Sequence, residues 1–270
     1  MSDTETDPIV IVSGARTPMG SFQGSLQSLL APALGAVAVR AALEKAKVKG
    51  EDVDDVLMGC VLPAGQGQAP ARQAAFGAGM PDSVPCTTVN KMCGSGMKTV
   101  MMAYDSLHAN PGDVIVAGGM ESMTNTPHIL PKMRSGQRLG HTQVYDHMFL
   151  DGLEDAYDKG RLMGTYAEDT AQHYQFTREA QDAYAIESLK RAKTANEDRT
   201  FANEMVPVTV TSRKGDMVVE RDEQPFTANV DKIPTLRPAF AKDGTVTSAN
   251  SSSISDGAAA VVLMRASEAE

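Results

Sequence analysis

The sequence predicts an α/β fold, and three observations carry that expectation. Over the first hundred and twenty residues, short β-rich runs alternate with helical patterns, the signature of βαβ units around a mostly parallel sheet. Breaker clusters such as Gly14-Ala15-Arg16-Thr17-Pro18 and Asn110-Pro111-Gly112 mark joins between those runs. A further apolar run, Asp256 to Met264, reads as another buried strand, able to rejoin the first sheet.

Taken in order, Pro8 to Ser13 is a buried strand. Ala33 to Lys47 is a helix with Leu34, Val37, Ala38, Ala41 and Ala42 on one face. Val53 to Leu62 is the second strand, Ala71 to Gly79 a short Ala-rich helix, and Thr87 to Asn90 a short strand. Ser95 to His108 is a longer helix, and Asp113 to Gly118 a further buried strand. From Glu121 the texture changes, and Met123 to His147 shows no sustained period. Downstream, Thr177 caps a helix that carries Glu179 in its first turn and runs to about Asn196. Val206, Val208 and Val210 alternate with polar residues, Lys214-Gly215-Asp216 turns the chain, and Met217 to Val219 returns as a hairpin. The organisation expected is an α/β domain of residues 1–121 and 253–270, interrupted by an inserted loop or lid domain, 122–252.

Composition removes several function classes. With 270 residues, 42% of them hydrophobic and 22% charged, the chain is neither collagen-like nor disordered. Twenty-five Lys and Arg against 34 Asp and Glu give a net charge of −9, which lacks the basic stripe that nucleic-acid binding needs. No apolar run approaches the roughly 20 residues that span a bilayer, so no membrane segment is expected. The acidic, polar start, Met1 to Pro8, carries no signal or transit pattern, and a cytoplasmic protein is expected. Three cysteines, Cys60, Cys86 and Cys93, form no Cys-x-x-Cys pair, so neither a disulfide framework nor a metal site is predicted.

One stretch carries chemistry. Thr87-Thr88-Val89-Asn90-Lys91-Met92-Cys93-Gly94-Ser95-Gly96-Met97 is a strand delivering a cysteine to the start of a helix. Unpaired N–H groups and the helix dipole favour an anion there, which raises the fraction of nucleophilic thiolate. The same N–H groups suit an oxyanion formed when that thiolate attacks a carbonyl. Helical spacing places Cys93, Met97, Val100 or Met101, Tyr104 and Leu107 on one stripe, so the thiol is expected to point toward the core and to be reached by a narrow ligand. Gly94 and Gly96 leave the backbone beside the sulfur uncovered. On spacing alone, a simply packed thiol remains the competing reading, because free cysteine is among the most buried residue types. Cys60, inside a strand, and Cys86, beside Pro85, are expected to be structural.

The run Thr88 to Gly96 resembles the nucleophile motif of thiolases, acetyl-CoA acetyltransferases in particular. The resemblance extends along nearly the whole chain. It covers Ser13 to Pro18, Gly118-Gly119-Met120-Glu121-Ser122-Met123, Leu236-Arg237-Pro238-Ala239-Phe240, and Gly244-Thr245-Val246-Thr247 leading to Asp256-Gly257-Ala258-Ala259. It implies a βαβαβαββ N-terminal domain with an inserted lid, in a family where a similar second domain, absent from this chain, encloses the cysteine. It also implies that Cys93 takes an acyl group from a coenzyme A thioester. A second acyl-CoA then receives it by Claisen condensation, or a 3-ketoacyl-CoA is cleaved in reverse. By the same resemblance Ser252 contacts the pantetheine arm, Met163 lines the acyl pocket, and Ala239 with Phe240 flanks the coenzyme A channel. The substrates implied are acetyl-CoA, acetoacetyl-CoA or another 3-ketoacyl-CoA, with no cofactor beyond the thioester. The Met123 to His147 segment resembles the loop through which many thiolases assemble, which implies a homodimer or homotetramer. The basic residues of that segment, Lys132, Arg134, Arg138 and His141, equally read as a solvated loop.

Departures from the family are expected to bear on chain length and coenzyme contacts. Leu162 stands where many short-chain thiolases carry His, no arginine matches near Gln224 to Thr227, and Ser248-Ala249-Asn250 replaces Ala-Gly-Asn. Neither a Gly-His-Pro nor a Cys-x-Gly motif occurs, and the five histidines, at 108, 128, 141, 147 and 173, read as surface or structural. The chain alone is therefore expected to turn over poorly, since general acid/base work contributes typically about 10² to 10⁴-fold. Ser267-Glu268-Ala269-Glu270 reads as the start of a connection. Three other functions compete: an acyl-CoA-binding or assembly module without turnover, a related condensing enzyme such as a ketoacyl synthase, and a redox-sensing thiol.

Overall fold

The computed structural model describes residues 7–213 and 215–270. The acidic start, 1–6, and Lys214 of the expected turn lie outside the described residues. The main elements are β1 (Ile9–Arg16), α1 (Ala31–Ala46), β2 (Asp55–Gly59), α2 (Pro70–Gly77), β3 (Cys86–Val89), α3 (Ser95–Ala109) and β4 (Ile115–Ser122). They continue with α4 (Met163–His173), α5 (Arg178–Glu197), β5 (Val208–Ser212), β6 (Gly215–Val219) and β7 (Ser255–Arg265).

The central sheet runs β1-β7-β4-β2-β3, with the short strand Gly20–Ser21 also paired to β7. Strand β2 is parallel to both β3 and β4, whereas β7 is antiparallel to β1 and β4. The sheet is thus mixed, its opposing strand lying between two strands that precede it by more than a hundred residues. Alternation along the strands divides two cores, as a pleated strand requires. Val56, Met58, Val116, Val262 and Met264 pack with α1 and α2 on one face, while Leu57, Ile115, Ala117 and Leu263 pack with Ala103 and Leu107 of α3 on the other.

Strand β4 runs past its expected end at Gly118, through Gly119 to Ser122. A Cβ at Gly118 would lie 2.2 Å from the Ala259 carbonyl oxygen of β7, so the position demands glycine inside a strand that glycine would ordinarily weaken. Strand β2 is correspondingly shorter than the expected Val53 to Leu62, because Val61 and Leu62 turn their N–H groups to the Glu121 carboxylate rather than to a neighbouring strand.

The segment between β4 and β7 opens with a short antiparallel pair, His128–Ile129 against Tyr145–Asp146, whose connecting loop is exposed. Helix α4 was not foreseen from periodicity. Helix α5 begins as expected: the Thr177 hydroxyl accepts the Ala180 N–H at 3.2 Å. The β5–β6 hairpin is not detached from the sheet unit, since Val208, Val210 and Val219 pack with Leu26 and Leu34 on the outer side of α1.

Arg16 ties the end of β1 to this segment. Its guanidinium meets Asp222 through two bonds, 2.7 and 3.1 Å, and Glu204 at 2.6 Å. Burial opposes ionisation of Asp222, but hydrogen bonds from Arg16, the Met19 N–H and Asn196 outweigh it and hold the carboxyl below its ordinary range. A carboxyl depressed on folding stabilises the fold above its unfolded value, about 3.9, and loses that contribution as pH falls through the folded value.

Two expectations follow for thermal denaturation. Gly118→Ala should destabilise by about 1–3 kcal/mol and lower Tm, because backbone must move. Gly112→Ala, where an added Cβ meets nothing within 4 Å, should leave Tm unchanged. Asp222→Asn should lower Tm at pH 7 and flatten the acid-side decline in stability expected of the unaltered protein as pH falls below the ordinary carboxyl value, about 3.9. An unaltered slope would exclude Asp222 as a source of that decline.

Candidate active site

The cysteine-bearing turn is built by hydrogen bonds between its own residues. After β3, Asn90 Oδ1 accepts the Met92 N–H at 2.9 Å, and Asn90 Nδ2 donates to the Val61 carbonyl at 3.3 Å. Ser95 Oγ accepts the Lys91 N–H at 2.9 Å and donates to the Met92 carbonyl at 2.6 Å. Between these anchors Met92 adopts φ 51°, a left-handed conformation uncommon for a side-chain-bearing residue, which reverses the chain into α3. Cys93 follows it, one residue before the N-cap, Gly94, which has no side chain to cap the helix. As in the first turn of any α-helix, the N–H groups of Gly96 and Met97 have no acceptor within the helix, and no side chain caps them.

Cys93 is exposed, which corrects the expectation of a core-facing stripe. The buried face of α3 is Ser95, Thr99, Ala103 and Leu107, whereas Met97, Met101 and Tyr104 are 69%, 53% and 50% exposed. The reason lies in the sheet: a Cβ at Gly59 would fall 2.8 Å from the Gly96 nitrogen, so the helix start rests almost directly on backbone. Only small residues fit in that gap, and the larger apolar side chains turn outward. The other thiols differ sharply. Burial, then the Glu121 carboxylate, pushes the Cys60 thiol up to about 12, and burial also raises that of Cys86.

Glu121, quoted above only as part of a motif, has a structural task that sequence spacing did not reveal. Its carboxylate accepts the Val61 and Leu62 N–H groups at 2.8 and 3.0 Å, and burial raises its pKa despite those bonds. Because Asn90 hangs from the Val61 carbonyl, the Glu121 anchor supports the cysteine turn from below. The one buried histidine, His147, pairs its Nδ1 with Asp151 at 2.6 Å; His108, His128, His141 and His173 are exposed. Lys132, Arg134, Arg138 and His141 are all exposed.

The remaining expected site residues gather around the 229–253 strap. Met163 opens α4 and is exposed, and the next residue, Gly164, lies against the Phe240 ring. The Ala239 N–H donates to the Val246 carbonyl at 2.9 Å. Glu168, which sequence reasoning missed, fixes this bend by accepting the N–H groups of Thr245 and Val246 at 2.9 and 2.8 Å. Ser252 lines an open groove of about 470 Å³ with Tyr184, Leu189 and Asn250. A contiguous groove of about 470 Å³ is lined by Lys232, Ile233, Leu236, Ser248 and Ser253. Cys93, Met163, Ala239 and Phe240 line neither groove. Among the described residues no group of three or more His, Cys, Asp or Glu is arranged to hold a metal ion, and no helix is long and apolar enough to cross a membrane.

Fold and site together define an α/β protein that presents a free cysteine at the junction of a strand and a bare helix N-terminus. The chain belongs to the thiolase family: residues 9–267 match the thiolase N-terminal domain. It is 49% identical over 264 residues to an acetyl-CoA acetyltransferase of Cupriavidus necator, covering 97% of this chain and 67% of that protein. It is 49% identical to the mitochondrial acetyl-CoA acetyltransferase of Bos taurus, covering 100% of this chain and 64% of that protein. A cytosolic acetyl-CoA acetyltransferase of Gibberella zeae is also 49% identical, over 95% of this chain and 65% of its own length. The chain thus spans about two thirds of the length of these relatives.

Alkylation tests the contrast among the three thiols. At pH 7.5, iodoacetamide should label Cys93 first and leave Cys60 unlabelled while the fold persists, as read by peptide mass mapping. Labelling of Cys60 at a rate equal to that of Cys93 would contradict it.

Proposed function

We propose that this chain carries the nucleophile of an acetyl-CoA C-acyltransferase. The carrying observation is an exposed cysteine at the uncapped start of α3 in a member of the thiolase family. In this reading the Cys93 thiolate attacks the carbonyl of acetyl-CoA, and the bare first-turn N–H groups stabilise the oxyanion. Collapse expels the coenzyme A thiolate and leaves the acyl group on sulfur. The α-carbanion of a second acetyl-CoA then attacks that thioester, forming a carbon–carbon bond as the carbon–sulfur bond to Cys93 breaks, which returns the Cys93 thiolate and releases acetoacetyl-CoA. In reverse, coenzyme A cleaves acetoacetyl-CoA or another 3-ketoacyl-CoA. Ser252 holds the pantetheine arm, Met163 lines the acyl pocket, and Ala239 with Phe240 flanks the coenzyme channel.

Residues 1–121 with 253–270 supply the nucleophile in this proposal, and 122–252 supply the cover. Proton transfer belongs to a second, similar domain, for which the outward Met97, Met101 and Tyr104 offer an apolar seat. Assembly as a homodimer or homotetramer runs through residues 123–147, where Leu139 and Val144 project. No cofactor beyond the thioester is required.

The test is to incubate the chain with acetyl-CoA, quench in acid and map the mass. One acetyl group on Cys93, absent from Cys93→Ala, is expected. Coenzyme A binding with no acylation would replace this reading with that of a binding module. Neither binding nor acylation would remove both.

A further inference from the structure

The wall of the two grooves includes two separate chain segments. One is the strap that contributes Ile233 and Leu236; the other is the turn that contributes Ala249 to Ser252. Both are held by a single ion pair on α5. Arg178 Nε donates to Asp182 Oδ2 at 2.6 Å, the i,i+4 spacing placing the partners on one helix face. Arg178 Nη2 reaches on to the Leu236 and Ile233 carbonyls at 2.9 and 3.1 Å. The other Asp182 oxygen, Oδ1, accepts Asn250 Nδ2 at 2.9 Å, and Asn250 Oδ1 in turn accepts the Thr247 N–H at 2.7 Å. Asp182 is only 5% exposed, and Ala185 and Leu189, three and seven residues further along the same face, line both grooves.

We propose that Arg178 and Asp182 are positioning residues that set the separation of the two groove walls, and so the affinity for the coenzyme A part of the substrate. The proposal rests on the reading that Ser252 holds the pantetheine arm, which makes the grooves that it and its neighbours line the coenzyme A site. The pair touches no reacting atom. Its contribution is to keep the Ile233–Leu236 strap and the Asn250–Ser252 turn in register over α5, without altering the cysteine turn, which is anchored separately by Asn90, Ser95 and Glu121. Arg suits the task because its fork makes several directed bonds at once, which a lysine ammonium of similar charge does not reproduce.

Two variants of the full chain test this, Asp182→Asn, which keeps the shape and loses the charge, and Arg178→Lys, which keeps the charge and loses the fork. Affinity for coenzyme A is measured by calorimetry, and the nucleophile is read separately as the rate of Cys93 alkylation by iodoacetamide without ligand. Asp182→Asn should weaken coenzyme A binding about tenfold or more, the weight of one charge-assisted hydrogen bond, and leave the alkylation rate within twofold. Arg178→Lys should weaken binding by a smaller factor, again with alkylation unchanged. Undiminished affinity in both variants overturns the positioning role while leaving the coenzyme A reading intact. So does a fall in affinity accompanied by an equal change in alkylation, which marks general loss of structure. If the unaltered chain binds no coenzyme A, the reading of the grooves fails and the positioning role fails with it. Should Asp182→Asn not fold, Arg178→Lys decides between these outcomes.

Discussion

The architecture depends on how closely α3 approaches the sheet. Its first turn rests on the backbone of β2 and β4, where an added Cβ at Gly59 would lie 2.8 Å from the Gly96 nitrogen and one at Gly119 would lie 3.3 Å from the Gly96 Cα. Thr99 completes the contact by donating its hydroxyl to the Gly118 carbonyl at 2.9 Å. A helix packed through side chains settles wherever those side chains interdigitate. One packed on backbone has far fewer solutions, because main-chain atoms cannot change rotamer. The position of Cys93, two residues before α3 and exposed, is therefore set by the main chain that leads into the helix rather than by the packing of its own side chain.

The surrounding polar groups are arranged to serve the same end. Glu121 closes β4 and reaches sideways to the Val61–Leu62 turn, from which Asn90 is suspended. Arg16 closes β1 and reaches Glu204 and Asp222 in the segment between β4 and β7. Glu168 and Asp182 do the equivalent for the 245–250 bend. In each case a carboxylate or guanidinium on a regular element satisfies backbone or side-chain groups in an irregular one. Loops that would otherwise carry unpaired N–H and C=O groups are held in single conformations.

The alternation of strands and helices was legible because each obeys one local period, and β7 was recognised as a returning strand from its apolar run alone. What was not legible is set by distant partners. The stripe through Met97 and Tyr104 obeys helical spacing as well as Ser95, Thr99, Ala103 and Leu107 do. Which of the two faces the sheet is decided by glycines in β2 and β4 that no helical periodicity contains. The cysteine turn could be placed from sequence, whereas Glu121, Glu168 and Asp182 act across separations of about 60 to 80 residues, and nothing in their local context announces the groups they hold. Helix α4 escaped notice for a related reason: almost none of it is buried, so it carries little apolar pattern.

Strand β7 lies between β1 and β4, yet it is made about 130 residues after β4 ends. At typical rates of synthesis that interval lasts roughly ten seconds. For all of it, the chain emerging from the ribosome holds Cys93 and α3 but has a gap in the sheet between β1 and β4. Loop closure over such a length is slow and entropically costly, so the two halves of the sheet wait as separate pieces. The thiol and the two strands beneath α3 exist early; the strand that joins them to β1 is made more than a hundred residues later. Placing the closing strand about 130 residues after β4 thereby makes completion of this sheet a late event relative to formation of the turn that carries Cys93.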